Sequence, residues 1–341
     1  MRALRWGGPG AMVVGEVPEP VAGPGEVIVD VELTGICGSD VSAYLGTMGI
    51  ARPGDVRGHE FAGTVGALGP GVDAGWRGRR VTVNSQVTCG RCWACGSDRD
   101  NLCPDLQIIG VHRPGAFTER VVVPARNLAA VDDAVPLELA ATAEPLAQAC
   151  HDVRLALAAQ PSTALVIGAG SIGGLVVQAA RLLGIPEIAV VEPDERRRAA
   201  ALDGGAGAGF DSTDVAAGPA AARPEGGFDV VLDAVGSGAT RQAAVDLTRA
   251  GGRVVLVGLH TDVSELGWFS VIRREISLVG ANCFDRSDFD RAVSWLREGR
   301  IRPPATVHRA GLGDGPRLFA DLAAGRADAA KTYLVPRHAW S

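Results

Sequence analysis

The chain has 341 residues, 47% apolar and 21% charged, with a formal net charge of -6. It is long enough for a large core and for two domains, and its balance is that of a folded globular protein. No basic patch stands out, so nucleic acid is not an expected partner; no run of about 18 apolar residues suggests a membrane span, and the opening "MRALRWGGPGAMVV" lacks the apolar core of a secretory leader.

Residues 1–150 carry short Val-rich runs punctuated by Gly and Pro, among them "EVIVDVELTG", "GTVGALG", "RRVTVNS" and "FTERVVVP". That pattern predicts a curled, irregular β domain. "PLELAATAEPLAQACHDVRLALAA", 136–159, switches to a helical Ala/Leu composition. From 163 apolar strands alternate with amphipathic helices: "TALVIGAG", "SIGGLVVQAARLLG", "EIAVVEP", "DERRRAAALDGG", "GFDVVLDAVG", "ATRQAAVDLTRAGG", "RVVLVGLH" and "EISLVGAN". Such alternation predicts parallel βαβ units, an α/β fold. The patch "VAAGPAAARPEGG", 215–227, reads as a helix end plus loop. "RSDFDRAVSWLREG" is a helix with Phe289, Val293, Trp295 and Leu296 among its apolar positions, and "KTYLVP" a short closing strand. The tail is too small for a core of its own, so it is expected to pack back on the first domain.

"VIGAGSIGG" sets Gly168, Gly170 and Gly173 in G-x-G-x-x-G spacing, after a strand and at the opening of a helix. In that context the glycines allow a tight turn, close approach of a pyrophosphate and close packing of helix on sheet. The first helical residues, Ser171 and Ile172, lie where amide donors and the helix dipole favour phosphate. Glu192 ends the next strand, where an acid accepts bonds from the adenosine ribose and disfavours a 2′-phosphate, pointing to NAD. Arg196, Arg197 and Arg198 follow it, and a 2′-phosphate is within their conceivable reach; ordinary solvated helix charge is the competing reading.

Seven cysteines, without an export signal, argue against a disulfide framework. Four of them, Cys89, Cys92, Cys95 and Cys103, have the spacing C-x2-C-x2-C-x7-C. Four thiolates on one loop match a closed, structural zinc site in a reducing compartment, with an iron–sulfur cluster as the chemical competitor. Cys37 in "GICGSD", His59 and Glu60 in "GHEFAG", and Glu144 and His151 in "EPLAQACH" are dispersed. Cys, His and a carboxylate are the makings of an open catalytic zinc site, but spacing alone does not bring them together.

These motifs, in this order and nearly end to end, resemble the zinc-dependent medium-chain dehydrogenase/reductases, the alcohol and polyol dehydrogenase superfamily. "EPL" at 144–146 is most similar to the sorbitol, threonine and butanediol dehydrogenase branch. The resemblance implies a GroES-like catalytic domain over 1–150 with a structural zinc lobe at about 86–106, a Rossmann domain over 151–283, and a return to the first domain over 284–341. It implies Cys37, His59 and Glu144 as catalytic zinc ligands with Glu60 beside the metal, Ser39 as first member of a proton relay, and Asp40 orienting His59. His151 is expected to be structural. The implied reaction is oxidation of a secondary alcohol, polyol or amino-polyol to a ketone: zinc acidifies the hydroxyl and a hydride passes to NAD. Metal and nucleotide would then have to line one cleft.

Three departures from the family pattern stand out. Ser42 occupies the place of a frequent relay histidine, Arg79 replaces an aspartate in "GRRV" with an expected loss or rewiring of a local salt bridge, and the substrate side holds an unusual mixture of Tyr44, Met48, Ile50, His112, Cys283 and Phe284, with a surface-loop residue as the other reading of His112. "GANCFDRSDF" is similar to butanediol-type members, and a threonine-type enzyme is the other alternative. A nucleotide-binding scaffold without turnover is the competing class. The resemblance also implies a cytoplasmic homodimer or homotetramer, with "EISLVGAN" a candidate sheet edge.

Overall fold

The computed structural model describes residues 1–47, 49–212 and 226–337. Met48 and nearly all of the 215–227 patch lie outside them. The chain divides into two compact units, Met1–Glu144 with Asp285–Ser341, and Pro145–Phe284.

The first unit opens with a hairpin that sequence patterning did not single out, β1 (Arg2–Gly8) and β2 (Ala11–Glu16). β3 (Glu26–Gly35) buries alternate residues Val27, Val29, Val31 and Leu33, as a strand with one face on a core must. It runs into α1 (Gly38–Tyr44), then β4 (Glu60–Leu68), β5 (Arg80–Val83), β6 (Gln86–Val87), β7 (Gln107–Ile108), β8 (Arg120–Pro124) and β9 (Leu128–Ala130). The helical stretch after 136 is two helices, α2 (Leu137–Ala141) and α3 (Ala143–Leu157), separated by Thr142, whose hydroxyl donates to the Glu138 carbonyl. The unit boundary falls inside α3, between Glu144 and Pro145, where the sequence reading set it at 150.

The second unit holds β10 (Thr163–Ile167), α4 (Ser171–Leu182), β11 (Glu187–Val191), α5 (Glu195–Asp203), β12 (Ala208–Phe210), β13 (Phe228–Asp233), α6 (Gly238–Leu247), β14 (Thr248–Leu256), α7 (Trp268–Arg273) and β15 (Ser277–Gly280). Among the described residues its six strands are all parallel in the order β12-β11-β10-β13-β14-β15, the doubly wound order of dinucleotide-binding sheets. The helix expected over "ATRQAAVDLTRAGG" ends at Leu247 instead: Thr248 already pairs with Phe228, its hydroxyl turns back to the Ala244 carbonyl, and Gly251 takes φ +70° in the irregular start of β14.

The chain returns through α8 (Arg286–Arg297), β16 (Val307–Gly311), α9 (Gly315–Ala323) and β17 (Lys331–Val335). Phe289, Val293, Trp295 and Leu296 of α8 are buried as its periodicity predicts. β17 joins the first unit's sheet, whose order is β16-β17-β3-β4-β5-β9 with β8 also on β3. Phe284 is buried, Tyr44 packs on the Phe319 ring at 5.8 Å between centroids, and His112 accepts the Ile108 N–H on the surface. Phe284 and Tyr44 are thus packed in core, and His112 is held in a surface loop, one of the two readings its sequence position allowed.

Candidate active site and nucleotide site

Three strands place the first group. Register pairs Gly35 of β3 with Glu60 of β4 on one side and with Tyr333 of β17 on the other. Cys37 follows β3, His59 precedes β4, and Lys331 opens β17, so residues far apart in sequence meet at one end of the sheet. The Sγ of Cys37, a ring nitrogen of His59 and a carboxylate oxygen of Glu60 all lie within 4.8 Å of one another. Two glycines make room. A Cβ on Gly35 would collide with the Glu60 carboxylate and come within 2.9 Å of Lys331 Cε. Gly58 has φ +99°, and a Cβ there would meet the Phe117 amide at 2.9 Å.

The group is tied from behind. Asp40, buried on α1, accepts the Cys37 N–H through Oδ2 at 3.1 Å, accepts Arg57 Nε through Oδ1 at 3.2 Å, and faces His59 Nδ1 at 3.8 Å. Burial opposes a charge on His59, but the Asp40 carboxylate, with Cys37 and Glu144, outweighs it and holds the imidazole well above its ordinary pKa. Glu60 forms a buried ion pair with Lys331, whose Nζ also donates to the Ile36 carbonyl at 3.1 Å. Burial disfavours the ammonium, yet the Glu60 carboxylate, helped by Cys37, keeps its pKa above the usual lysine range.

Glu144 stands outside the three-donor group: Ser85 Oγ donates to its Oε1 at 3.2 Å. Burial and the neighbouring Glu60 raise its carboxyl to about 7, against the pull of His59. Glu60 lies across from Gly35 on the sheet, while Glu144, on α3, interacts with both His59 and Glu60 and turns its Oε1 to Ser85. Ser39 is half-buried in the first turn of α1. His151 is buried, its Nδ1 2.9 Å from Arg154 Nη2. Arg79 lies over the Trp76 ring at 5.9 Å, a cation–π contact at the position where a local salt bridge was expected to be lost or rewired. Sequence reasoning missed Lys331, Arg57 and Ser85 as members of this cluster; the motif "KTYLVP" marked Lys331 only as part of a strand.

The four cysteines form a second group, their sulfurs within 4.8 Å of one another, on a lobe whose neck is closed by antiparallel pairing of β6 with β7. Sγ–Sγ separations are 3.5 Å for Cys92–Cys95 and 4.0 Å for Cys89–Cys95, and all four are free thiols. Tetrahedral zinc with bonds of about 2.3 Å requires sulfurs about 3.8 Å apart, so the donor set fits zinc. Backbone N–H groups, Arg91's first, lower the Cys89 thiol to about 6, while burial pushes Cys103 up to about 11.

In the second unit Gly168 turns with φ +88°, and a Cβ on Gly173 would strike the Gly168 carbonyl. Gly170 caps α4, leaving the first N–H groups of Ser171, Ile172 and Gly173 beyond intrahelical pairing. Glu192 is buried at the end of β11; its Oε2 accepts the Ala169 N–H at 2.7 Å and its Oε1 the Asp194 N–H at 3.0 Å. Arg198 donates to the Glu192 and Pro193 carbonyls, and Arg196 faces Asp194 at 3.7 Å. Arg197 caps through its backbone N–H on Asp194.

Residues 23–133 match the family described as alcohol dehydrogenase GroES-like domain, and residues 171–298 the one described as zinc-binding dehydrogenase. The chain is 34% identical over 293 residues to 2-dehydro-3-deoxy-L-galactonate 5-dehydrogenase of Pseudoalteromonas atlantica, covering 85% of each protein. It is 33% identical over 270 residues to L-threonine 3-dehydrogenase of Xanthomonas euvesicatoria, covering 78% of this chain and 79% of that one. Among solved structures, a protein described as a zinc-binding dehydrogenase from Sinorhizobium meliloti 1021, bound to NADP, superposes with a TM-score of 0.89 at 33% identity over 98% of this chain and 99% of that one. Among the described residues no helix is long and apolar enough to cross a membrane. Fold, glycine turn, cysteine lobe and these likenesses agree: the chain belongs to the zinc-dependent medium-chain dehydrogenase/reductases, in their alcohol and polyol dehydrogenase branch.

Proposed function

We propose that the protein oxidises a secondary alcohol of a polyol-class substrate to the ketone, using NAD and a zinc ion held by Cys37, His59 and a carboxylate. The observation that carries this reading is the convergence of Cys37, His59 and Glu60 within 4.8 Å at the end of a GroES-like sheet, in a chain that also builds the glycine turn of a dinucleotide site. When bound, zinc supplies the Lewis acidity that makes an alcohol acidic near neutral pH, and the nicotinamide supplies the hydride acceptor. Glu60 and Glu144 are the two carboxylates able to complete the donor set, one restrained by Lys331 and the other by Ser85. Ser39 Oγ takes the substrate proton; with Ser42 in the place of a histidine, the proton continues through water. Ser171, Ile172 and Gly173 receive the pyrophosphate, and Glu192 the adenosine ribose. The engagement of Arg198 with backbone carbonyls supports NAD over NADP.

The two relatives' named substrates, a 2-dehydro-3-deoxy sugar acid and threonine, set the panel, joined by sorbitol and 2,3-butanediol from the family resemblance. Four cysteine thiols gathered at ligating distance support a reducing compartment, the cytoplasm. Trp268, Phe269 and Ile272, exposed on α7 beside the edge strand β15, support assembly as a homodimer or homotetramer. Metal analysis and turnover on the panel test the function. We expect about two zinc per chain, loss of one and of all turnover in Cys37→Ala, and retention of the four-cysteine metal. One zinc per chain with no turnover would instead make the protein a nucleotide-binding scaffold.

A further inference from the structure

Arg57 lies two residues before His59, and its side chain is wholly buried together with that of Asp40. Its Nε donates to Asp40 Oδ1 at 3.2 Å, while Nη1 and Nη2 find no partner among the described residues. The same carboxylate oxygen lies 3.8 Å from His59 Nδ1, beyond hydrogen-bond length, and the other oxygen accepts the Cys37 N–H. Thus one carboxylate touches the backbone of one metal donor, faces the ring of a second, and is held by Arg57. The base of that arm is fixed as well. The Arg57 carbonyl accepts the Phe117 N–H at 2.8 Å, and the Gly58 carbonyl accepts the Ala116 N–H at 2.9 Å.

A buried guanidinium with unanswered Nη groups is costly to fold, and an apolar side chain of similar length fills the same space without that cost. Among the described residues, its side-chain partner is the residue that also reaches Cys37 and His59. We propose that Arg57 is a positioning residue for the metal centre: by clamping Asp40 it fixes the carboxylate that sets the Cys37 backbone and the His59 ring, and so sets how tightly the metal is held. This rests on reading Cys37 and His59 as metal donors.

The test is zinc titration of the full chain against a chromophoric chelator, with cobalt(II) substitution as the optical report on coordination. Wild-type protein holding a single metal unaffected by Cys37→Ala removes the reading of the site, and the proposal with it. With the Cys37 metal present, Arg57→Met weakens its affinity about 10- to 100-fold and alters the cobalt spectrum, while the four-cysteine metal is unmoved. Arg57→Lys is intermediate. In an Asp40→Asn background the Arg57→Met change has no further effect, since Arg57 acts through Asp40. Wild-type affinity and spectrum in folded Arg57→Met, or an equal loss in the Asp40→Asn background, overturn the proposal while leaving the site reading intact. Should Arg57→Met fail to fold, Arg57→Lys decides in the same cycle: a severalfold loss that vanishes beside Asp40→Asn supports it, and unchanged affinity overturns it.

Discussion

Lys331 shows how a single side chain can set the character of a site without touching substrate. It brings a positive charge into a buried corner and spends it on Glu60, one of two carboxylates near the candidate metal donors. Removing one partner of a buried pair strands the other charge. Lys331→Met is therefore expected to destabilise the protein by about 3–5 kcal/mol in denaturant unfolding and to reduce turnover; a loss within the scatter of surface substitutions contradicts the pairing. Nothing in the sequence announces this contact. "KTYLVP" is legible as a strand from its apolar residues, but only the register of three strands around Gly35 brings its lysine to Glu60. Cys37 and His59 were legible because their motifs travel with neighbours of fixed chemistry. The ties of Glu60 to Lys331 and of Glu144 to Ser85 were not, because they depend on sheet pairing and on how α3 turns its acid.

At the scale of elements, the second unit was the more legible. Parallel strands buried on both faces write long apolar runs, and the helices between them write amphipathic ones. The errors lie where local pattern yields to pairing. The helix before β14 stops at Leu247 because Thr248 joins the sheet, and the Ala/Leu stretch after 136 breaks at Thr142. The β1–β2 hairpin escaped notice because its strands mix Arg, Gly and Trp with few alternating apolar positions. The glycine turn is the element with the least tolerance. Gly173→Ala drives a Cβ into the Gly168 carbonyl, so α4 must shift from β10. We expect NADH affinity, read by fluorescence titration, to fall more than about tenfold, scaled as the loss of well-placed phosphate hydrogen bonds, with metal content unchanged. Undiminished binding would mean that the helix N-terminus does not hold the pyrophosphate.

At the scale of the whole molecule, the six-stranded sheet ends on β15, a short edge strand beside a helix with Trp268, Phe269 and Ile272 largely in the open. An unpaired edge next to apolar surface invites a second sheet. The proposed assembly through this surface predicts that Phe269→Glu with Ile272→Glu lowers the mass seen in light scattering while the chain still binds NADH; an unchanged mass overturns the assignment of the contact to this surface.

The first unit is interrupted: the chain leaves it after Glu144 and rejoins it at Asp285. Synthesis therefore makes Cys37, His59 and Glu60 early and Lys331 only after the entire Pro145–Phe284 unit. At about 5–20 residues per second, the interval between Glu144 and Lys331 is about 10–40 s. Throughout that time β3 lacks β17 at Gly35 and Glu60 lacks its counter-charge. The nascent chain thus carries a more anionic, half-built pocket, and the finished centre is a late event in biosynthesis.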